Sequence, residues 1–336
     1  MPASSLPDFP ANLLEFQRMF ADETACLRYL EQVRWPQGFT CEACCHVGEP
    51  SRVAKRPRVL RCRRCGVETT TTAGTIMHKT RTSLHVWFWA AYLVATTTAG
   101  LSALEMMKKL GVARYETAFQ ILHKLRAGMV RPDRDKIGGE WPVELDVIYV
   151  GGKHKGGRQG LTKQTPVAIA VEIRTGEVAD EVTGDVEEKR HAGRVRLQVL
   201  PSKGAAGLSA FVDESIKTGT LIISDAGREF TGVAKRDYHH EKVVMHGDSG
   251  KAAAWLPMVG IITGNLKAWI DGTHHGVRKQ HLQGYLNEFM FRFNRRFWRA
   301  VSFRTLLGLG SAHEGPTYRA VYAGDGPQGP GQDGGT

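Results

Sequence analysis

The first third of the chain carries two kinds of pattern, helical apolar spacing and a cysteine-rich interruption. Residues 11–33 place apolar side chains at helical spacing, which predicts two short helices. Residues 84–96 (LHVWFWAAYLVAT) are apolar on nearly every side, as expected for a buried helix. Closely spaced cysteines lie between these segments. We therefore expect N-terminal helices over residues 1–36 and a separate small domain over residues 37–80.

A helix–turn–helix pattern lies within the helical region of residues 81–135. Ser102 and Glu105 form a capping box at the start of a helix that runs to Leu110, and a tight Gly-Val-Ala turn follows. A second amphipathic helix comes next; this arrangement is typical of DNA-binding proteins, although an ordinary helical hairpin has the same pattern. The polar side chains that we expect on the outer face of the second helix are Arg114, Tyr115, Thr117, Gln120, Lys124 and Arg126.

Beyond this region, short apolar runs typical of strands replace the helical spacing. Helical spacing returns only at about residues 257–271 and 279–298. Strands followed by flanking helices predict a mixed α/β domain over residues 140–300, then a C-terminal extension over 301–322 and a disordered tail over 323–336. The fold class is thus multidomain α+β. The strand-like runs are residues 142–151, 166–173, 194–200 and 220–224.

The composition narrows the possible partners and compartment. The 336-residue chain has a formal net charge of +11 and a pI near 9.5, which favours polyanionic partners, although many soluble proteins are mildly basic. No apolar run reaches the roughly 18 residues that a membrane span needs, and the N-terminus lacks the pattern of a secretory signal. Cysteines confined mostly to close pairs are typical of a reducing compartment. We expect a cytoplasmic protein, associated with the nucleoid when bound to DNA, and no membrane partner.

The paired cysteines predict a structural Zn²⁺ site. Cys41 and Cys44 form one C-x-x-C pair, and Cys62 and Cys65 form another. Each pair spans a tight turn, so that four thiolates can surround one ion. The segment between the pairs is rich in arginine, which is typical of a nucleic-acid-binding zinc ribbon. The alternatives are unrelated redox pairs or free buried thiols; the neighbouring Cys45 is a possible substitute ligand, and Cys26 is expected in the core.

Two aspartates mark strands of the C-terminal domain. Asp146 interrupts the first strand-like run, and Asp225 ends the last one. A carboxylate among apolar neighbours needs a cation or a hydrogen-bonding partner. Two carboxylates on neighbouring strands can hold Mg²⁺ ions for phosphoryl transfer. The alternatives are a salt bridge from Asp146 to Lys153 or Lys155, and a turn or helix cap at Asp225.

Two polar residues on a later helix can complete such a site. Asn265 can offer its carbonyl oxygen to a metal, and Lys267 can hold a phosphate, although either residue alone is more often simply solvent-facing. The histidines His239, His240 and His246 are too loosely spaced to predict a second zinc site.

Further cations are candidates for DNA contact. The segment GGKHKGGRQGLTK contains Lys153 and Arg158, and we expect it to follow a DNA backbone or to form a solvated turn. Glu288, Arg292 and Arg295 have i, i+4 and i+7 spacing, which places them on one helix face. That face is either a phosphate-binding arginine face or a surface ion-pair ladder.

The order of these parts resembles the insertion-sequence transposases of the ISXO-like, or IS-fifteen-ninety-five, group, from about Phe16 to Phe297. The Glu/Arg/Arg helix of one branch of that group is matched by Glu288, Arg292 and Arg295. The stretches that carry the resemblance are CLRYLEQVRWPQGFTC, AGTIMHKT, WFWAAYLV, VELDVIYVGGK, IISDAG, NLKAWIDGTHHGV and HLQGYLNEFMFRFNRRF.

The resemblance implies a ribonuclease H-like catalytic domain whose acidic residues bind Mg²⁺ or Mn²⁺. By motif position, Asp146 and Asp225 match its first two catalytic carboxylates, and Asn265 and Lys267 match the pair found where asparagine replaces the third acidic residue. The implied partner is double-stranded DNA, both inverted-repeat ends and target. The implied reaction is hydrolytic nicking followed by attack of the freed 3′-hydroxyl on target DNA. A homo-oligomer on DNA is expected, because two ends must be joined.

The chain departs from the group at three positions. Val147 and Ile148 stand where relatives usually carry an acidic residue and threonine, and Gly260 stands where they usually carry histidine or glutamate. An alternative function is therefore a catalytically decayed copy that acts only as a DNA-binding protein. Mg²⁺-dependent cleavage of an inverted-repeat end distinguishes the two functions.

Overall fold

The chain divides into two units, one of which is formed from both ends of the sequence. The terminal unit comprises the chain up to Pro132 together with the chain from Arg295 onwards, and the central unit comprises Asp133–Asn294. None of the described helices combines the length and apolar character needed to cross a lipid bilayer. The computed structural model describes residues 8–53, 55–131, 133–151, 164–179, 186–202, 204–235, 237–244 and 254–323.

Helices and strands both occur in each unit, as expected for the α+β class. The helices are α1 (Leu13–Met19), α2 (Glu23–Arg34), α3 (Leu84–Thr96), α4 (Ala103–Leu110), α5 (Tyr115–Gly128), α6 (Ala205–Ser215), α7 (Pro257–Trp269), α8 (Leu282–Phe293), α9 (Arg299–Ser311) and α10 (Tyr318–Ala323). The strands are β1 (Ser51–Val53), β2 (Arg56–Arg61), β3 (Glu68–Thr70), β4 (Val143–Val150), β5 (Thr165–Ala179), β6 (Val186–Val199), β7 (Leu221–Asp225) and β8 (His239–Val243).

An aromatic cluster forms the core of the terminal unit. Phe303 of α9 is fully buried, and its ring centroid lies 5.6 Å from those of Phe16 and Phe20 in the first residues of the chain. Phe88 of the apolar helix α3 lies 6.0 Å from the same ring. The segment expected to be a C-terminal extension thus contributes a central side chain to the helical core. Burial of a phenylalanine side chain stabilises a fold by roughly 1.5–3 kcal/mol.

The boundaries of α4 and α5 follow the sequence signals. The Ser102 side chain accepts a hydrogen bond from the Glu105 amide at 3.2 Å, which confirms the predicted N-cap. Gly111 ends α4 with φ of 62°, a left-handed conformation that glycine adopts without strain. A short connection then leads directly into α5, so that a helix, a tight turn and a second helix follow each other as predicted.

The central unit is a five-stranded mixed sheet with helices on both faces. Its strand order is β6-β5-β4-β7-β8, which is 3-2-1-4-5 when the strands are numbered within the unit. The central strand β4 pairs antiparallel with β5 and parallel with β7. Val143 and Leu145 of β4 face α6, whereas Ile148 and Val150 face α7 and α8. Because side chains alternate along a strand, Glu144 and Asp146 also lie on the α7–α8 face.

Several elements differ from the sequence expectation. The strand expected at 194–200 is the end of the much longer β6, which forms a hairpin with β5. Both α6 and the edge strand β8 were missed, and the helix expected at 279–298 is limited to α8. The polar sequence of β8, HHEKV, lacks the apolar alternation on which a strand prediction depends.

Candidate metal centres and nucleic-acid interface

The four predicted cysteines form one cluster. The Sγ atoms of Cys41, Cys44, Cys62 and Cys65 all lie within 4.8 Å of one another. Cys41 Sγ is 3.6 Å from Cys65 Sγ, and Cys44 Sγ is 3.7 Å from Cys62 Sγ. Four sulfurs at about 2.3 Å from a tetrahedral Zn²⁺ are separated by close to these distances. The donor set therefore fits a structural Zn²⁺ ion.

Two similar turns bring the cysteines together. The Cys45 amide donates to the Cys41 carbonyl at 2.8 Å, and the Gly66 amide donates to the Cys62 carbonyl at 3.0 Å. Cys45 and Gly66 have φ of 55° and 74°, so each closes its turn in the left-handed region. Cys45 is exposed and does not belong to the cluster, whereas Cys26 is fully buried in the core, as expected.

Carboxylates outside the segment between the cysteine pairs bind most of the arginines of that segment. Glu31 of α2 pairs with Arg52 at 2.6 Å, and Glu23 pairs with Arg58. Glu68 of β3 pairs with the two arginines at the ends of β2, Arg56 and Arg61. Among the described residues from Cys41 to Cys65, the exposed cations for which no ion pair is seen are Lys55, Arg63 and Arg64, and the last two lie in the second C-x-x-C turn.

Asp146 and Asp225 lie side by side on one face of the central sheet. The parallel pairing of β4 with β7 aligns Leu145 with Ser224, and each aspartate is the next residue on its strand. Neighbouring strands are about 4.8 Å apart. Ile223 packs on the α7–α8 side, so the alternation of β7 places Asp225 on the same face as Asp146. The sheet thus brings two carboxylates together, the donor type that divalent cations prefer.

Backbone amides orient both carboxylates. Asp146 Oδ1 accepts a hydrogen bond from the Val147 amide at 2.7 Å, and Asp225 Oδ1 accepts one from the Ala226 amide at 2.6 Å. The bond from the Ala226 amide leaves other lone pairs of the Asp225 carboxylate for a metal, because a carboxylate has about four such sites. The alternative partners of Asp146, Lys153 and Lys155, lie outside the described residues.

A third carboxylate on this face, Glu144, escaped the sequence prediction. Glu144 is 1% exposed, and its Oε2 accepts a hydrogen bond from the Val259 amide in the first turn of α7 at 2.7 Å. Burial raises the pKa of Glu144 to about 7, against the lowering effect of the Val259 and Met258 amides. α7 has no side-chain N-cap of its own, so Glu144 fills that role from the neighbouring strand. It ties α7 to β4 two residues before Asp146.

Asn265 and Lys267 leave α7 in different directions. Residues two apart on an α-helix are rotated by about 200°. Trp269, one turn after Asn265, contacts Phe289 of α8 at 5.9 Å, so Asn265 lies on the flank of α7 that faces α8. α8 follows the free edge of β6, on the opposite side of β4 from β7. Lys267 therefore lies on the opposite flank of α7, the one turned away from α8.

Gly260 lies on the same flank as Lys267, two turns earlier in α7. It is exposed, and a Cβ atom added there would meet nothing within 4 Å. The position at which relatives were expected to carry histidine or glutamate is therefore spatially open in this chain.

Only Glu288 and Arg292 of the predicted Glu/Arg/Arg face lie on α8. Arg292 pairs with the fully buried Glu288 at 3.5 Å, and its guanidinium lies 5.7 Å from the Trp269 ring centroid. Arg292 is 14% exposed and so serves the interior of the central unit. Arg295 lies beyond the last residue of α8.

One face of α5 and the preceding Arg114 line a polar cleft of about 790 Å³ within the terminal unit. Arg114, Gln120 and Lys124 form one wall, and His78 and Lys79 form part of the other. Burial lowers the pKa of Lys124. This cationic cleft is the candidate nucleic-acid interface of the helical region.

The expectation that Arg126 faces outward is wrong. Arg126 is only 2% exposed, because every residue of α5 from Ile121 to Gly128 except Lys124 is buried. A polar residue usually marks the outer face of a helix, but the second half of α5 is enclosed on almost all sides. Two further cations expected to contact DNA, Lys153 and Arg158, lie outside the described residues.

Comparisons with known families match the two regions that contain the candidate sites. A family model described as the ISXO2-like transposase domain matches residues 136–294, and one described as the transposase zinc-ribbon domain matches residues 21–68. The first match contains the aspartate pair, and the second contains all four clustered cysteines. No curated protein and no solved structure matched the chain.

Proposed function

Because the chain belongs to the ISXO2-like transposases, we propose that it binds the inverted-repeat ends of an insertion sequence, cleaves them and transfers them into target DNA. The observation that carries this proposal is the alignment of Asp146 with Asp225 on one face of the central sheet. Two carboxylates at this spacing suit a site for Mg²⁺ or Mn²⁺. Such an enzyme acts where chromosomal DNA is, in the cytoplasm.

We assign the central unit a ribonuclease H-like fold. The strand order 3-2-1-4-5, with the second strand antiparallel and the first, fourth and fifth parallel, supports this assignment. In such a sheet the carboxylates of the first and fourth strands meet, which is the arrangement of Asp146 and Asp225.

The residues of the site have distinct roles in the proposed reaction. Bound divalent ions would supply charge neutralisation for in-line displacement at phosphorus. Asp146 and Asp225 hold that charge in place, with one oxygen of each already oriented by a backbone amide. Lys267, on the flank of α7 toward them, is placed to hold a phosphate of the DNA strand. Glu144 keeps α7 in register with β4.

The third ligand position differs from the sequence expectation in our proposal. Asn265 was expected to complete the metal shell, but helix geometry directs it toward α8. Gly260 lies on the same flank of α7 as Lys267, which we call the productive flank because we propose that it faces the aspartate pair. Gly260 offers no side chain there. We therefore propose a site with two protein carboxylates and an open third position, which a substrate oxygen or water fills.

DNA binding is assigned to the terminal unit. The cleft along α5 supplies a helix–turn–helix contact, and the exposed Arg63 and Arg64 at the zinc-ribbon tip supply a second one. Zn²⁺ at the four cysteines serves the fold of the ribbon. Since two element ends must be joined, the active form is a homo-oligomer on DNA.

The test is strand cleavage on a labelled inverted-repeat end taken from the DNA that flanks the gene. We expect nicking at the repeat boundary with Mg²⁺ and none with EDTA. Asp146→Asn and Asp225→Asn should each abolish nicking, whereas Asp237→Asn, an exposed aspartate of the same unit, should not. Specific binding without nicking by the wild-type protein would favour the decayed-copy alternative, and full activity in Asp146→Asn would exclude the metal-site assignment.

A further inference from the structure

Two adjacent aromatic side chains project into solvent just before α9. Phe297 is 75% exposed and Trp298 is 71% exposed, the highest values among the large apolar side chains that the structure describes. Aromatic side chains bury about 150–250 Å² each when they are covered. Two of them side by side therefore indicate a surface that binds a partner.

The surrounding charge indicates what that partner is. From residue 295 to residue 313 the sequence contains no aspartate or glutamate, and it contains four arginines. Arg296 lies directly beside the aromatic pair, with its guanidinium carbon 4.5 Å from the Phe297 ring centroid. Arg299 follows Trp298 and is exposed. Aromatic rings set among arginines match a polyanion with flat apolar groups, which is a nucleic-acid strand.

The pair sits on a rigid support. The Trp298 amide donates to the Arg295 carbonyl at 2.8 Å and closes a turn, and the Trp298 carbonyl accepts from the Ser302 amide in the first turn of α9. Arg299 Nη1 donates to Thr98 Oγ1 at 2.8 Å. α9 is fixed in turn by Phe303, which is fully buried in the core of the terminal unit. A platform anchored in this way loses little conformational entropy on binding.

We propose that Phe297 and Trp298 form a stacking platform for unpaired bases of a DNA strand, with Arg296 and Arg299 contacting the flanking phosphates. Unpaired bases are favoured over duplex because the base faces in a duplex are already covered by their neighbours. This inference rests on the proposed function, because strand cleavage at an element end is what would supply a DNA strand with unpaired bases. Stacking of this kind is largely independent of base identity.

The test uses the full-length protein and two labelled probes, a 20-nucleotide oligothymidylate and a duplex of the same length. Phe297→Ala and Trp298→Ala should each raise the Kd for oligothymidylate by about 5- to 100-fold, as expected for loss of one stacked base. The Kd for the duplex should change by less than about twofold. The slope of log Kd against log salt should stay constant, because neither change removes a charge.

Matched variants keep the test decisive. Trp298→Phe retains a ring and should recover most of the affinity. Trp255→Ala removes another exposed tryptophan, 48% exposed, and should bind both probes as the wild type does. Both alanine variants should melt within about 2 °C of the wild type, because the side chains they remove are mostly in solvent.

Two outcomes overturn the inference. One is unchanged affinity for oligothymidylate in both alanine variants. The other is an equal loss of affinity for oligothymidylate and duplex, which would indicate general backbone binding rather than stacking. Cleavage of the inverted-repeat end is measured separately. If the wild-type protein binds oligothymidylate through the aromatic pair but never nicks the repeat end, the proposed function is refuted and the stacking platform is still supported.

Discussion

The buried carboxylate of Glu144 should make the stability of the central unit fall as pH rises. Its pKa in the folded protein is raised from the ordinary 4.5 to about 7. A raised pKa means that the folded state binds the proton more tightly than the unfolded chain does. The stabilisation is therefore complete below pH 4.5 and is lost as pH rises through 7. A shift of about 2.5 units corresponds to about 3 kcal/mol at 1.36 kcal/mol per unit.

Glu144→Gln tests this reasoning directly. Glutamine has the shape of the protonated acid and can still accept from the Val259 amide, but it does not ionise. We expect similar unfolding free energies for the two proteins at pH 5, and a more stable variant at pH 8, by up to about 3 kcal/mol. Glu241→Gln, at an exposed position of the same unit, should behave as the wild type at both pH values.

The measurement must report the central unit by itself, because a chain with two units need not unfold in one step. Peptide-resolved hydrogen exchange of β4 and α7 across a urea series, without added divalent ions, provides that readout. Parallel stability curves for wild type and Glu144→Gln from pH 5 to pH 8 would falsify the assignment of a buried, proton-binding Glu144. In that case the helix N-terminus stabilises the ionised carboxylate against desolvation.

Three further predictions concern the sites themselves. Cys62→Ser should lose the single zinc ion detected by elemental analysis and unfold the ribbon, whereas Cys45→Ser should retain both; a ribbon that stays folded without metal would contradict the zinc assignment. Gly260→Glu should increase Mg²⁺-dependent nicking, because it adds a carboxylate on the productive flank of α7. Gly264→Glu should not, because position 264 has as much free space for a side chain but points away from the sheet. Equal effects of the two substitutions would contradict the flank assignment. Arg114→Ala should weaken duplex binding and reduce the salt slope by about 0.9, and an unchanged slope would remove Arg114 from the interface.

Local signals in the sequence predicted the parts whose structure is local. The two C-x-x-C turns each close within a few residues, and the capping Ser102 and the left-handed Gly111 act on the adjacent helix. These features depend on short-range backbone geometry, which a few residues determine. The position of the two aspartates on neighbouring strands was also predicted, because a carboxylate within an apolar strand is conspicuous without knowledge of the fold.

Contacts between distant segments account for what was missed. Glu144 meets Val259 across 115 residues, and Phe303 joins a core formed mainly by the first helices. No periodicity in either segment indicates its partner. The opposite orientation of Asn265 and Lys267, in contrast, could be predicted from the sequence, because residues two apart on a helix do not share a face. Only the choice between the two flanks needed the structure, through the contact of Trp269 with α8.

The distribution of positive charge shows why composition alone is a poor guide to the DNA-binding surface. The arginines of the ribbon look like a coat in sequence, yet four of them pair with Glu23, Glu31 and Glu68, which lie outside the segment between the cysteine pairs. An exposed pair of this kind contributes little to stability, but it does remove a cation from the field that attracts a polyanion. Residues 295–313 contain four arginines and no acidic residue. More of the net charge of +11 is therefore available to attract DNA there than at the ribbon. The salt dependence of DNA binding should respond more to Arg299→Gln than to Arg52→Gln.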